Sequence, residues 1–162
     1  METDRLKLLP CRMEDIQDIH QLWTNDQIRS FLFDNRIISL DEAQAFVEGS
    51  IANFSQHGYG IWLVYHRRSN RLIGFAGLLC SAEREPYLIY GIHPDHVGHG
   101  YATEAAEVVL DYGLRKLGLS KVRADVDEPN NASVRVLEKL GMNQVECKIT
   151  EGQSLLYFEI NG

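Results

Sequence analysis

A chain of 162 residues with 44% hydrophobic and 24% charged side chains suits one domain built around one sizeable core. Sixteen Lys and Arg stand against 23 Asp and Glu, a net charge of -7. That balance disfavours nucleic acid as a partner and favours amine-bearing ones. No apolar run reaches membrane-spanning length and no secretory-type stretch opens the chain, so a cytoplasmic protein without membrane contact is expected.

The three cysteines, Cys11, Cys80 and Cys147, match no metal-ligand or redox spacing and read as reduced thiols. Arg5 to Pro10 reads as a first strand. Ile16, Ile19, Leu22 and Trp23 recur at three and four residues and predict a helix over 13–23. Asn35 to Leu40 reads as a linker. Ser39, with Glu42 three residues on, forms a capping-box pattern for a helix running through Ala43, Phe46, Val47, Ile51 and Phe54.

Gly58 and Gly60 end that segment. Ile61 to Tyr65 and Arg71 to Leu79 then predict a hairpin around the polar turn at 67–70, followed by a strand over 87–92. Ala102 to Leu117 predicts a helix, with Ala102, Ala106, Val109, Gly113 and Leu117 along one stripe. Lys121 to Asp127 alternates apolar and polar residues as a half-buried strand does. Asn130 or Asn131 caps a helix over 132–140, which Gly141 closes. Strands at 142–148 and 155–160 complete the chain around Glu151-Gly152. The order predicts one mixed α/β sheet with helices on its faces.

Between the strand at 87–92 and the helix at 102–117 lies Gly98-His99-Gly100. Glycine turns that open a helix present bare backbone N–H groups at its positive end, where phosphate can bind. A dinucleotide fingerprint needs a third glycine where Thr103 stands, and a nucleoside-triphosphate loop needs a lysine that is missing. His93, His96 and His99 are spaced by three, but Pro94 and Gly98 make their stretch a loop, so no metal site is expected.

The run Gly98-His99-Gly100-Tyr101-Ala102-Thr103-Glu104-Ala105 resembles the acyl-CoA pyrophosphate loop of the GNAT (Gcn5-related N-acetyltransferase) superfamily. It is most similar to the branch of ribosomal-protein-alanine N-acetyltransferases and related small-substrate enzymes. About 30 residues on, 130–141 resembles that family's second signature, an Asn-x-x-Ser opening a helix, and the opening Thr3-Asp4-Arg5-Leu6 resembles the branch's first strand. The resemblance implies a single GNAT domain over 1–162. Its α/β fold would be a mixed, mostly antiparallel, splayed sheet flanked by about four helices. It further implies acetyl-CoA as cosubstrate, no metal, and a monomer or homodimer.

By the same resemblance, the acetyl group passes by direct attack in a ternary complex to a primary amine, either a protein N-terminus or a small amine. Val97, Gly98, His99, Gly100, Tyr101, Ala102 and Thr103 would hold the pyrophosphate. The strand edge at Ile92 would pair with the pantetheine arm, and its N–H would meet the developing oxyanion. Asn130 would bond that arm or bridge the splayed strands. Ser133 would protonate the leaving thiolate or serve as a helix-start cap.

The base is open among Glu83, Glu85, His93, Asp125, Asp127 and water, because Tyr87 and Leu88 occupy the positions where relatives often carry Glu. Val97 also replaces a larger polar or aromatic residue in the loop pattern. Trp23, Phe31, Phe33, Phe46 and Phe54 fall in the region that walls the acceptor site in this family, and Asp34 could attract an ammonium group. The missing carboxylate motivates an alternative, a catalytically inactive acyl-CoA-binding module acting as sensor or partner.

Overall fold

The computed structural model describes residues 1–30, 32–80 and 85–162. Seven strands form one sheet in the order β1-β2-β3-β4-β5-β7-β6. They are β1 (Leu6–Pro10), β2 (Ile61–His66), β3 (Leu72–Cys80), β4 (Pro86–Ile92), β5 (Lys121–Asp127), β6 (Asn143–Thr150) and β7 (Gln153–Asn161). Five α-helices flank it among the described residues: α1 (Ile16–Trp23), α2 (Asp26–Arg29), α3 (Leu40–His57), α4 (Tyr101–Asp111) and α5 (Asn131–Lys139). Every strand pairing is antiparallel except β4 with β5, which is parallel and registers only at Tyr87 opposite Arg123. The sheet is therefore splayed. Beyond Tyr87, β4 and β5 diverge and leave a cleft between two halves of the sheet.

Alternation along the strands fills both faces. On one face Trp62, Val64, Ala76, Leu78, Leu88, Val122, Ala124, Val126 and Phe158 pack with Ala105, Ala106, Val109 and Leu110 of α4 and Leu137 of α5. On the other, Ile61, Leu63 and Phe75 pack with Ile19, Leu22 and Trp23 of α1, Ile28 of α2, and Ala43 and Val47 of α3. In β5 the predicted alternation holds, with Val122, Ala124 and Val126 buried. Gly77 lies opposite Ile61 in the β2–β3 pairing: a Cβ there would lie 2.4 Å from the Gly60 carbonyl oxygen and 2.9 Å from Ile61 Cα. Strands β6 and β7 form the expected closing hairpin, with Glu151 and Gly152 in left-handed conformations at the turn.

The helix boundaries correct several expectations. The predicted helix over 13–23 splits into a 3-10 turn at Met13–Asp15 and α1, because Asp15 accepts from the Arg12 amide at 2.8 Å and terminates its own turn. Ser39 caps α3 by accepting from the Glu42 amide at 3.1 Å, but the second half of the capping box is absent: the Glu42 carboxylate instead pairs with Arg36 at 2.8 Å. The Arg36 ion pair holds that carboxyl below its ordinary range. The helix predicted to 117 is regular to Asp111 and continues as a π-turn over Tyr112–Lys116, where Gly113 packs close against Leu78. Asn130, not Asn131, caps α5, accepting from the Ser133 amide at 3.2 Å.

Candidate functional site

The cleft opened by the splay is a cavity of about 880 Å³. Its walls are β4 from Tyr87 to Ile92, β5 from Ala124 to Asp127, the start of α5, and aromatic residues delivered by α1 and α3. The His93 amide donates to the Ile73 carbonyl at 2.7 Å, toward β3. Amide direction alternates along a strand, so Ile92, Tyr90 and Leu88 point their backbone groups the other way, toward the cleft. Ile92 is 8% exposed and lines the cleft, beyond the β4–β5 bridge, and its N–H has no partner among the described residues.

The glycine turn lies at one end. Gly98 and Gly100 adopt φ of +82° and +80°, a left-handed conformation that side chains resist. Nothing lies within 4 Å of a Cβ at Gly98, so backbone conformation rather than space is what demands glycine there. Gly100 begins α4 with no side-chain cap. The amides of Gly98, His99, Gly100, Tyr101, Ala102 and Thr103 donate to no acceptor among the described residues. Val97 is 57% exposed; it and Ala102 reach the cleft wall, whereas Gly98, His99, Gly100, Tyr101 and Thr103 lie outside the cavity lining.

The loop is braced from outside by the first residues of the chain. Arg5 donates from Nη1 to the His99 carbonyl at 2.8 Å and from Nε to Glu104 Oε2 at 2.7 Å, and lies 4.6 Å over the Tyr101 ring. Thr3 Oγ1 donates to Glu104 Oε1. Partial burial pushes the Glu104 carboxyl up, but the Thr3 and Arg5 hydrogen bonds outweigh it and hold the group below its ordinary range. The Tyr101 ring is thus engaged on the outer side, where His66 and His99 also adjoin it.

Ser133 and Asn130 line the cleft opposite β4. Ser133 is not the helix cap; Asn130 fills that role with its Oδ1, while its side-chain Nδ2 meets no acceptor among the described residues. The Ser133 hydroxyl faces β4, 2.7 Å from the Tyr90 hydroxyl, which also lies 3.1 Å from the Ser133 carbonyl. Burial pushes the Tyr90 phenol up to about 12, against the Ser133 hydrogen bond, which lowers it. Tyr90 thus lines the cleft together with Ser133. In the sequence it is the tyrosine of the splayed strand, two residues before Ile92 on the same edge, from which the Glu positions of relatives at 87 and 88 are counted.

Of the candidate bases, Asp125 and Asp127 line the cleft; Glu85 is paired with Arg123 at 2.7 Å, and His93 lies against Asp95 outside the cleft lining. Glu83 and Phe31 lie outside the described residues. Desolvation by the cleft walls raises the Asp125 carboxyl, and neighbouring Asp127 adds to it. Asp127 is raised the same way, first by desolvation and then by Asp34. Tyr87, where relatives often carry Glu, also lines the cleft, its phenol raised by burial and by Asp125.

Trp23 forms the floor of the far end, edge-on to Phe33, Phe46 and Phe75 at 5.5–5.8 Å. Phe54 does not reach the cleft; it packs on Trp62 at 4.8 Å. Phe33, Asp34 and Asn35 all have left-handed backbones, with φ of 57°, 52° and 61°. Arg29 fixes this run by donating to the Asn35 carbonyl at 2.7 Å. It brings Phe33 and Asp34 to the cleft wall, and Asp34 and Asp127 also line an adjoining cavity of about 490 Å³ together with Glu128. Among the described residues, no group of three or more His, Cys, Asp or Glu could hold a metal, and no helix is long and apolar enough to cross a membrane.

A family model for the acetyltransferase (GNAT) domain matches residues 5–143. An uncharacterized N-acetyltransferase, YoaA, of Bacillus subtilis (strain 168) is 32% identical over 147 residues, covering 89% of this chain and 82% of its own. The spermidine N(1)-acetyltransferase of Escherichia coli (strain K12) is 27% identical over 157 residues, covering 97% and 80%. Two solved structures share the fold. The Vibrio cholerae spermidine N-acetyltransferase in complex with CoA and spermine has a TM-score of 0.82 at 24% identity, over 98% of this chain and 96% of that one. The Vibrio fischeri ribosomal-protein-S5-alanine acetyltransferase has a TM-score of 0.84 at 11% identity, over 99% and 95%.

Proposed function

This chain belongs to the GNAT acetyltransferase family, and from that premise we propose that it transfers the acetyl group of acetyl-CoA to a primary amine of a small cationic molecule. The observation that carries the reading is the splay. It offers a β4 edge that among the described residues pairs with β5 only at Tyr87, with bare amides of the glycine turn at one end and a carboxylate-lined, aromatic-floored pocket at the other. The residues fit such a cosubstrate. The amides of 98–103 would hold the pyrophosphate, with Val97 beside them, and the β4 edge and Asn130 would hold the amide-bearing arm. Acetyl-CoA supplies the activated acyl group.

The protein supplies orientation, charge and a dry wall. The Ile92 N–H is the donor for the thioester oxygen as it gains charge. Asp34 and Asp127 attract the acceptor's ammonium groups, and Asp125, facing Tyr87, takes up the amine proton directly or through water. The raised carboxyls of Asp125 and Asp127 bring both closer to the proton affinity of a working base. Ser133 stabilises the departing thiolate. The acidic end favours a small polycation over a protein N-terminus. The likeness to spermidine N(1)-acetyltransferase supports the same choice.

The test is thiol release from acetyl-CoA with spermidine, spermine, other small amines and N-terminal peptides as acceptors. Turnover is expected with the polyamines, with a KM that rises with salt as screening weakens the acidic pocket. Turnover with peptides alone would overturn the acceptor class. Tight CoA binding without release for any acceptor would instead favour the inactive acyl-CoA-binding module.

A further inference from the structure

We propose that Tyr90 is a positioning residue that acts through Ser133, turning the serine hydroxyl toward the leaving sulfur by a switch of two hydroxyl rotors. The inference rests on the reading of the cleft as an acetyl-transfer site.

The geometry allows two hydrogen-bond arrangements with the heavy atoms fixed. Each hydroxyl has one proton to donate. In the first arrangement Tyr90 donates to the Ser133 carbonyl, 3.1 Å away, and Ser133 donates to the Tyr90 oxygen at 2.7 Å. The serine proton is then engaged by Tyr90 and not offered to a ligand. In the second, Tyr90 donates across the same 2.7 Å contact to Ser133 Oγ, and the serine proton is free to point into the cavity that both residues line. Moving from one to the other requires only that both O–H bonds rotate.

The chemistry of the cleft selects between them. As the new C–N bond forms and the C–S bond breaks, the electron pair of that bond moves onto sulfur. The nitrogen loses its proton to Asp125 or water, and CoA departs as the thiolate. A negative sulfur beside Ser133 favours the second arrangement, because the serine hydroxyl then donates to the charge while Tyr90 donates to the serine oxygen. Donors arranged in series polarise one another. No proton leaves Tyr90, and its buried phenol, held neutral at ordinary pH, suits the role of a permanent donor. Asn130 makes the rotation available: by capping the Ser133 amide it relieves the serine hydroxyl of the capping duty that helix-start serines commonly carry.

The experiment is a double-mutant cycle on the full chain with acetyl-CoA and the best acceptor from the amine panel. Tyr90→Phe and Ser133→Ala are each expected to lower kcat about tenfold, the size of one hydrogen bond to a developing charge, with the KM for acetyl-CoA and the Kd for CoA unchanged. If the two act as one unit, the double variant also loses about tenfold rather than the hundredfold of independent effects. Site-specific 4-fluorophenylalanine at position 90 fills the space of the hydroxyl without donating. It is expected to show the same loss, and it keeps the test decisive if Tyr90→Phe folds poorly. Unchanged kcat in the fluoro variant, or independent losses in the double variant, would overturn the inference. A wild-type protein that binds CoA but releases no thiol would overturn the underlying reading instead.

Discussion

Replacing Glu104 with Ala would cut the brace that the start of the chain places on the glycine turn. The carboxylate receives Arg5 through Nε at 2.7 Å and Nη2 at 2.5 Å, and Thr3 Oγ1 at 2.5 Å. Its side chain is 19% exposed while that of Arg5 is 45% exposed. The Arg5 pair is therefore discounted toward the surface range of up to about 1 kcal/mol. The half-buried Thr3 bond to a charge contributes about 1.5 kcal/mol. The sum is about 2 kcal/mol, which for a chain of this size lowers Tm by about 4–8 °C. The Arg5 bond to the His99 carbonyl would lose its anchor as well, and a looser loop should raise the Kd for CoA about three- to tenfold.

Differential scanning calorimetry and CoA titration measure both effects. Acid adds a further check. The Glu104 carboxyl titrates below its unfolded value of 4.5, so its stabilisation is complete above that pH and is lost as pH falls through the folded value. The Tm gap between wild type and Glu104→Ala should narrow over that interval. A gap under about 1 °C at neutral pH, or one that does not narrow with acid, would refute the reasoning.

Asp127→Asn should raise the KM for a polycationic acceptor up to about fivefold, the range of one screened charge, and flatten its salt dependence. Its raised carboxyl also means that the ionised form costs stability above the folded value, a cost that vanishes as pH falls below the unfolded value of 3.8. The Asn variant should therefore melt no lower than wild type at neutral pH. Gly77→Ala should destabilise the fold by about 3 kcal/mol or more, since its Cβ meets backbone atoms of Gly60 and Ile61 that cannot rotate away; urea unfolding with an unchanged midpoint would contradict this.

Much of this architecture was legible in the sequence where the deciding interaction is local. The alternation at Lys121–Asp127 reports a strand with one buried face, and Ser39 and Asn130 cap the helices that follow them because a cap bonds only two or three residues onward. The left-handed glycines before α4 belong to the same class. Contacts distant in sequence were not legible. Thr3 and Arg5 meet Glu104 across about a hundred residues, and Tyr90 meets Ser133 across 43. Arg36 diverted Glu42 from its capping box, a competition no helix pattern encodes. The π-turn after Asp111 shares the apolar stripe of a regular helix, so periodicity extended α4 through it. The left-handed run at 33–35 was hidden for a different reason: its Phe is a poor candidate for that conformation and is held there by its surroundings.

The single Tyr87–Arg123 bridge has a consequence for how the molecule keeps to itself in a crowded solution. A strand whose hydrogen-bonding groups are bare on the outside of a sheet invites a second chain to zip onto it and begin aggregation. The bare stretch of β4 is turned inward instead, walled by β5 and roofed by α5. To pair with it, a foreign strand would have to enter between the two halves of the sheet. Tearing the sheet along an interior line thus gives the protein a sticky edge to spend on chemistry without showing that edge to its neighbours.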